Sequence, residues 1–107
     1  MSANLIPSVQ ERMLKAFLEL IILPMLQNRP LTAYQIDSRI KDKFHTKMST
    51  TVVYTRLSAL ERLHLIECIQ IDHGKAYRLT EKGKELLSTR AKILKEIHAS
   101  ELVLFES

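Results

Sequence analysis

The order of patterns between Met48 and Leu87 constrains the fold of this chain more than any other feature. A segment with helical spacing comes first and is followed by a sharp turn. Two short segments rich in β-branched and apolar residues then flank a tight turn at Asp72–Lys75, and a second helical segment follows. Such an order is typical of a winged helix, in which one helix enters the major groove of DNA and a hairpin contacts the flanking backbone. We therefore predict a mainly α-helical fold with a small β-hairpin, a winged helix-turn-helix with a long C-terminal dimerisation helix.

The helical segment 49–63 separates apolar from polar side chains. Val53, Leu57 and Leu60 recur at the spacing of one helix face, and Ser49 can cap the start of the helix. The opposite side carries hydroxyl and basic groups, on Thr51, Thr55, Ser58 and Arg62, with Tyr54 and Arg56 at its margins. This segment is therefore the predicted recognition helix, packed on the protein through its apolar stripe.

Capping patterns and apolar spacing predict the other elements of a single domain over residues 1–107. Two capping boxes, in which Ser or Thr is followed three residues later by Glu or Gln, mark the starts of the first two helices. The predicted elements are a loose arm over 1–7, helices over 8–27 and 32–44, the recognition helix over 49–63, a hairpin over 65–79 and a last helix over 80–105. The apolar stripe of that last helix is too long for so small a core, and a second copy of the chain would cover the rest.

Charge and composition narrow the classes of partner and compartment. Sixteen Lys and Arg residues against twelve Asp and Glu residues give a net charge of +4, which favours a polyanionic partner. A single cysteine, Cys68, excludes an intrachain disulfide and favours a reducing compartment. No signal peptide is visible, and the most apolar run, Ala16–Leu26, is short of the roughly 20 residues that span a bilayer. We expect a cytoplasmic, nucleoid-associated protein with no membrane partner.

Four segments of the chain, in this order, resemble the PadR-like winged-helix transcriptional regulators: Leu31–Ile36, Met48–Leu57, Leu60–Ile66 and Tyr77–Leu87. The similarity extends over about Phe17–Leu94. The motif Thr80–Gly83 after a strand also occurs in other winged-helix families, including MarR-like ones, so the ordered set is more specific than any one segment. The resemblance implies transcriptional repression by a homodimer formed through the first and last helices. The candidate interface residues are Phe17, Ile21, Leu87, Leu94, Ile97, Leu102 and Phe105.

Some positions depart from the pattern of that family. The family usually has a glycine before the hairpin, where this chain has His64, and Pro and Gly at the start of the recognition helix, where it has Thr50 and Thr51. The chain stops after the last helix, so we expect the short form without a large C-terminal effector domain. Some short relatives bind flat aromatic drugs between tryptophans in the dimer pore, and the absence of Trp here lowers that expectation.

Contacts with DNA are expected from the recognition helix, from the residues before it and from the hairpin. Hydroxyl groups can bind phosphates or base edges, and an arginine can read guanine through two hydrogen bonds. A lysine at the hairpin tip suits a sequence-independent phosphate contact. The alternative for each of these residues is an ordinary solvated surface. The candidates are Lys43, Lys47, Ser49, Thr50, Thr51, Tyr54, Thr55, Arg56, His73, Lys75 and Arg78.

Other classes of function find less support in the sequence. No Ser–His–Asp set, phosphate-binding loop or paired carboxylates appear, so we expect neither an enzyme nor a cofactor. Cys68 with His64 and His73 matches no tight zinc spacing, and a half-buried strand cysteine is the commoner situation. Two alternatives remain: a winged-helix adaptor that binds another protein through its polar helix face, and a ligand-gated regulator with a cavity at the dimer interface.

Overall fold

The computed structural model describes the backbone of residues 2–44 and 49–106, and the side chains of Val9, residues 12–43 and residues 49–100. Four helices and one antiparallel hairpin are present in this part of the chain. In chain order they are α1 (Ser2–Met25), α2 (Ala33–Phe44), α3 (Thr50–Arg62), β1 (Ile66–Ile71), β2 (Gly74–Leu79) and α4 (Glu81–Glu106). None of the described helices has both the length and the apolar character required to cross a membrane.

The hydrophobic core lies where α1, α2 and α3 meet the hairpin and the start of α4. The predicted inner stripe of α3 is buried, since Val53, Leu57 and Leu60 are at most 1% exposed. The core cluster consists of Leu18, Ile22, Leu23, Leu26, Leu31, Ile36, Ile40, Val53, Leu57, Leu60, Leu65, Ile66 and Leu79. Burial of this stripe determines the rotation of α3 about its own axis, so the opposite face of the helix stays on the outside.

The hairpin is completed by a third segment that the sequence did not reveal. In the hairpin itself, Ile66 lies opposite Leu79 and a two-residue turn joins the strands. Leu31, just before α2, pairs with Tyr77 of β2 through two backbone hydrogen bonds, of 3.0 Å and 2.7 Å. Two strands alone are only marginally stable in water, so this extra bridge and the contacts with α3 and α4 hold the wing in place.

Side-chain caps begin three of the helices, and the sequence predicted those of α2 and α3. At α2 the capping box is reciprocal, because Thr32 N donates to Gln35 Oε1 at 2.9 Å and Gln35 N donates to Thr32 Oγ1 at 3.1 Å. At α3 the Ser49 hydroxyl accepts from Val52 N, at 3.3 Å. At α4 the Thr80 hydroxyl accepts from the Gly83 N–H, at 3.1 Å. These caps satisfy N–H groups that have no partner within the helix.

The start of α1 differs from the prediction. The helix begins at Ser2, so residues 2–7 are helical rather than a loose arm, and Ser8 lies inside the helix instead of capping it. Pro7 does not prevent this, because its fixed φ lies within the helical range and it removes only one backbone donor. At the other end α1 stops at Met25, directly after Pro24 and two residues before the predicted bound at 27.

The turn between α3 and β1 depends on a left-handed residue, His64, whose φ is 61°. An L-residue in this conformation costs roughly 1–2 kcal/mol. A glycine would remove this cost, but it would lose about 0.5–1 kcal/mol more in backbone entropy on folding. We expect His64→Gly to raise the free energy of unfolding by about 0.5–1 kcal/mol, and Tm by roughly 4 °C. Thermal unfolding followed by circular dichroism measures both.

The control for this prediction is Ser58→Gly, at an exposed position within α3 where the backbone is helical. There the glycine gains nothing from its freedom and should destabilise the protein by about 0.5–1 kcal/mol. If His64→Gly lowered Tm as Ser58→Gly does, the left-handed turn would not be a source of strain.

Candidate nucleic-acid interface

The outer side of α3 is free of the protein core. We call Thr51, Thr55, Ser58 and Arg62 the recognition face, because all four are exposed and lie opposite the buried stripe. Within it the Thr55 hydroxyl donates to the Thr51 carbonyl oxygen at 2.7 Å, which leaves the lone pairs of the Thr55 oxygen as acceptors. The candidates Thr51 and Thr55 are therefore accessible, and Ser58 and Arg62 share their face although they were not among the candidate contacts.

Thr50 is directed toward α2 rather than away from the protein. Its hydroxyl accepts from Lys41 Nζ at 2.6 Å and donates to Asp37 Oδ2 at 3.2 Å. The Lys41 ammonium also forms an ion pair with Asp37 at 3.1 Å. Asp37 is only 7% exposed, and a buried carboxylate requires such partners. Thr50 thus joins the start of α3 to α2, which makes it a poor candidate for a direct DNA contact.

Arg56 lies against α1. Its side chain is 17% exposed, and Nε lies 3.9 Å from Oε1 of Glu19. Position 56 is one residue before the buried Leu57, so its side chain leaves the helix on the flank that packs on α1. The expected reading of guanine by Arg56 therefore has no support in this geometry. Of the two arginines of α3, Arg62 on the recognition face is the exposed one.

Tyr54 occupies the border between α3 and the hairpin. It is 42% exposed. Burial raises the pKa of the Tyr77 phenol on β2, and the nearby Cys68, Glu61 and Tyr54 groups raise it further. Tyr77 is therefore neutral at physiological pH, and the side of α3 that carries Tyr54 and Glu61 lies toward the hairpin. Tyr54 can present its hydroxyl at the groove between helix and wing.

All three hairpin candidates are exposed, but one of them is held in an ion pair. His73 and Lys75 are exposed, and Lys75 forms no ion pair with any residue that the structure describes. Arg78 is different, because its Nε lies 2.6 Å from Oε1 of Glu67, its partner across the hairpin. Its charge is balanced by that carboxylate, so Lys75 is the better phosphate ligand.

The remaining candidates lie before α3 and on the outer helices. Lys43 is exposed near the end of α2, Ser49 is exposed as the cap of α3, and Lys47 falls outside the described residues. Among the interface candidates, Ile21 and Leu87 are half-buried, whereas Phe17, Leu94 and Ile97 are 40%, 65% and 49% exposed. The side chains of Leu102 and Phe105 also fall outside the described residues.

A helix with a buried inner stripe and an accessible polar outer face, followed by a two-stranded wing with an exposed lysine, defines a winged-helix protein. Residues 22–89 match the transcriptional regulator PadR-like family, and the chain belongs to that family. The resemblance inferred from the sequence is thereby confirmed.

Solved structures agree with this assignment. A PadR-like transcription factor from Bacteroides fragilis is 26% identical, with a TM-score of 0.69 over 87% of this chain and 94% of that one. Bacillus subtilis PadR in complex with operator DNA is 25% identical, with a TM-score of 0.56 over 78% and 59% of the two chains. The winged-helix DNA-binding protein F93 from STIV shares the fold, at 21% identity and a TM-score of 0.59 over 77% and 89%. No curated protein is significantly similar in sequence.

Proposed function

We propose that this chain is a homodimeric regulator that binds double-stranded DNA at an inverted repeat and represses transcription. The observation that carries the proposal is the orientation of α3, whose apolar stripe is buried while the recognition face stays accessible. The likeness to Bacillus subtilis PadR, solved with operator DNA, supports a role on DNA. Such a regulator acts on the chromosome, in the cytoplasm.

The proposed contacts follow from accessibility and charge. The recognition face would lie in the major groove, where Arg62 can form two hydrogen bonds with guanine and the hydroxyl groups of Thr51 and Ser58 can reach base edges or phosphates. Lys75 and His73 would contact the backbone beside it, as the tip of a wing does. The net charge of +4 favours this assignment.

Exposed apolar side chains on the two outer helices support the proposed homodimer. On α1 they recur at helical spacing, at Val9, Met13, Phe17 and Leu20, and on α4 they are Ile93, Leu94 and Ile97. Apolar surface of this extent marks an interaction site, and a twofold axis through it would pair the two recognition helices. Helices about 34 Å apart would enter successive major grooves, so the site should be an inverted repeat.

Repression is the mode of regulation that needs the fewest additional contacts. A dimer that occupies promoter DNA blocks the polymerase by its position alone, whereas activation needs a further surface that binds the polymerase. The resemblance to the family points the same way.

The test begins with selection of bound duplexes from a random pool, followed by fluorescence anisotropy of the selected site over a series of salt concentrations. Affinity should fall as salt rises, with a slope of about 0.9 per phosphate contact. Lys75→Gln should weaken binding about equally for all sequences and lower that slope by about one, while Arg62→Gln should relax the preference for one base pair.

Lys95→Gln is the matched control, because it removes an exposed lysine from α4, away from the recognition face and the wing. Its slope should equal that of the wild type. A wild-type affinity that does not change with salt, or equal slopes for Lys75→Gln and the wild type, would rule out the proposed interface.

A further inference from the structure

Residues at the start of α4 donate hydrogen bonds to backbone carbonyl groups at, and just after, the end of the recognition helix. Lys82 Nζ donates to the carbonyl oxygen of Leu63, the C-cap residue of α3, at 3.0 Å. The Thr80 hydroxyl donates to the next carbonyl oxygen, that of His64, at 2.5 Å. Thr80 directly precedes α4 and Lys82 lies in its first turn. A second helix therefore supplies hydrogen-bond donors to the carbonyl groups at the end of α3.

The third carbonyl in the row, that of Leu65, lies against the backbone at the start of α4. Thr80 N donates to the Leu65 carbonyl oxygen at 3.1 Å. A Cβ atom added at Gly83 would lie 2.2 Å from that same oxygen, which shows how near the two backbones are. We call the set of Thr80, Lys82 and Gly83 on these three carbonyl groups the carbonyl clamp.

The chemistry of the clamp favours a fixed angle between α3 and α4. The last carbonyl groups of a helix carry a partial negative charge, so the Lys82 ammonium at Leu63 is attracted by the whole of α3 and not by one oxygen alone. The hydroxyl of Thr80 is held at both sides, since it accepts from the Gly83 N–H while it donates to His64. A rotation of α4 against α3 would break several of these contacts together.

The same helix continues into the proposed dimer interface. Beyond its first turns α4 carries the exposed Ile93, Leu94 and Ile97. The clamp thus connects the surface where two copies would meet with the helix that would read DNA. We infer that the carbonyl clamp fixes the distance and angle between the two recognition helices, and that it thereby determines which half-site spacing the dimer accepts. This inference rests on the proposed function.

The geometry of DNA makes the spacing between half-sites a sensitive measure of how rigidly the two recognition helices are held. One inserted base pair moves a half-site by about 3.4 Å and rotates it by about 35°. A rigid dimer must then deform the DNA or lose contacts, which should weaken wild-type binding by roughly ten- to a hundredfold. A dimer whose recognition helices can rotate should lose only roughly threefold, because rotation costs it less than DNA deformation.

The experiment compares affinities for the selected site and for the same site with one base pair inserted between its halves. Lys82→Met removes the ammonium but keeps a long apolar side chain, and combining it with Thr80→Val also removes the hydroxyl. Lys84→Met is the matched control, since it removes the same charge from the same turn, where Lys84 forms an ion pair with Glu81. Lys82→Arg should retain the wild-type ratio of affinities, because a guanidinium also donates to carbonyl oxygens.

A second measurement follows the helices without DNA. Spin labels attached through Ser58→Cys, in a Cys68→Ser background, report the distance between the two recognition faces by pulsed electron resonance. The wild type should show one narrow distance distribution, and the double variant a broader one, at unchanged helix content by circular dichroism.

The outcomes separate this inference from the function on which it rests. The ratio compared is the affinity for the selected site divided by the affinity for the site with the inserted base pair. A lower ratio in Lys82→Met and in the double variant, with Lys84→Met equal to the wild type, supports the clamp. Unchanged ratios and unchanged distance distributions in the double variant would overturn it. If the wild type bound no selected DNA, the proposed function would be wrong, but the distance distributions would still test the clamp. A monomeric wild type would overturn both proposals.

Discussion

Replacing Gly83 with alanine should lower the free energy of unfolding by about 2 kcal/mol, although alanine is the better helix former. From helix propensity alone the substitution would stabilise α4 by about 1 kcal/mol. The added Cβ would however lie 2.2 Å from the Leu65 carbonyl oxygen and 3.1 Å from Leu79 Cδ2. The oxygen is part of the backbone, so α4 must move away from the turn before β1. That movement stretches the hydrogen bond from Thr80 N to Leu65.

Urea unfolding at constant protein concentration measures the free energy of unfolding. In thermal unfolding, Tm should fall by roughly 10 °C. Ser88→Ala, at an exposed position of the same helix, is the control and should be neutral or slightly stabilising. A Gly83→Ala protein more stable than the wild type would mean that α4 does not pack this closely on the turn before β1.

Substitution of Leu94 by glutamate should separate the proposed homodimer into monomers and weaken DNA binding by roughly a hundredfold or more. Leu94 is 65% exposed in one chain, so a charge at this position costs a monomer little. Buried between two copies, the same charge would lie unpaired in an apolar interface, which is strongly unfavourable. The loss of affinity follows because each half-site then binds without the high effective concentration that its linked partner provides.

Sedimentation equilibrium gives the state of association, and anisotropy with the selected site gives the affinity. Ser88→Glu introduces the same charge on α4 at a position outside the apolar set, and it should remain dimeric and bind DNA close to the wild-type level. A Leu94→Glu protein that stayed dimeric would exclude this part of α4 from the interface. A monomeric protein with wild-type affinity would instead show that DNA binding needs only one copy.

Periodicity and capping were the reliable signals in this chain. The inner stripe of α3 and the caps of α2 and α3 depend on interactions within a few residues, so the sequence contains the information to predict them. The start of α1 was mispredicted because the capping-box pattern at Ser8 also fits a position inside a helix, and local pattern does not distinguish the two.

Site residues were harder to assign than elements. Thr50, Arg56 and Arg78 all have side chains suited to DNA, and each is engaged by an acidic residue of the protein: Asp37, Glu19 and Glu67, respectively. Two of these partners belong to other helices. The sequence placed Arg62 on the polar side of α3, but Arg62 was not among the candidate contacts although the structure leaves it exposed.

The order of helices and wing, and the division of α3 into an apolar and a polar side, follow from residue spacing, since side chains three or four apart share a helix face whatever surrounds them. Which polar side chains stay available, the pairing of Leu31 with Tyr77 and the hold of α4 on the end of α3 were settled only by the packed structure. Those features join groups from distant parts of the chain, and their geometry exists only after the helices have packed around a common core.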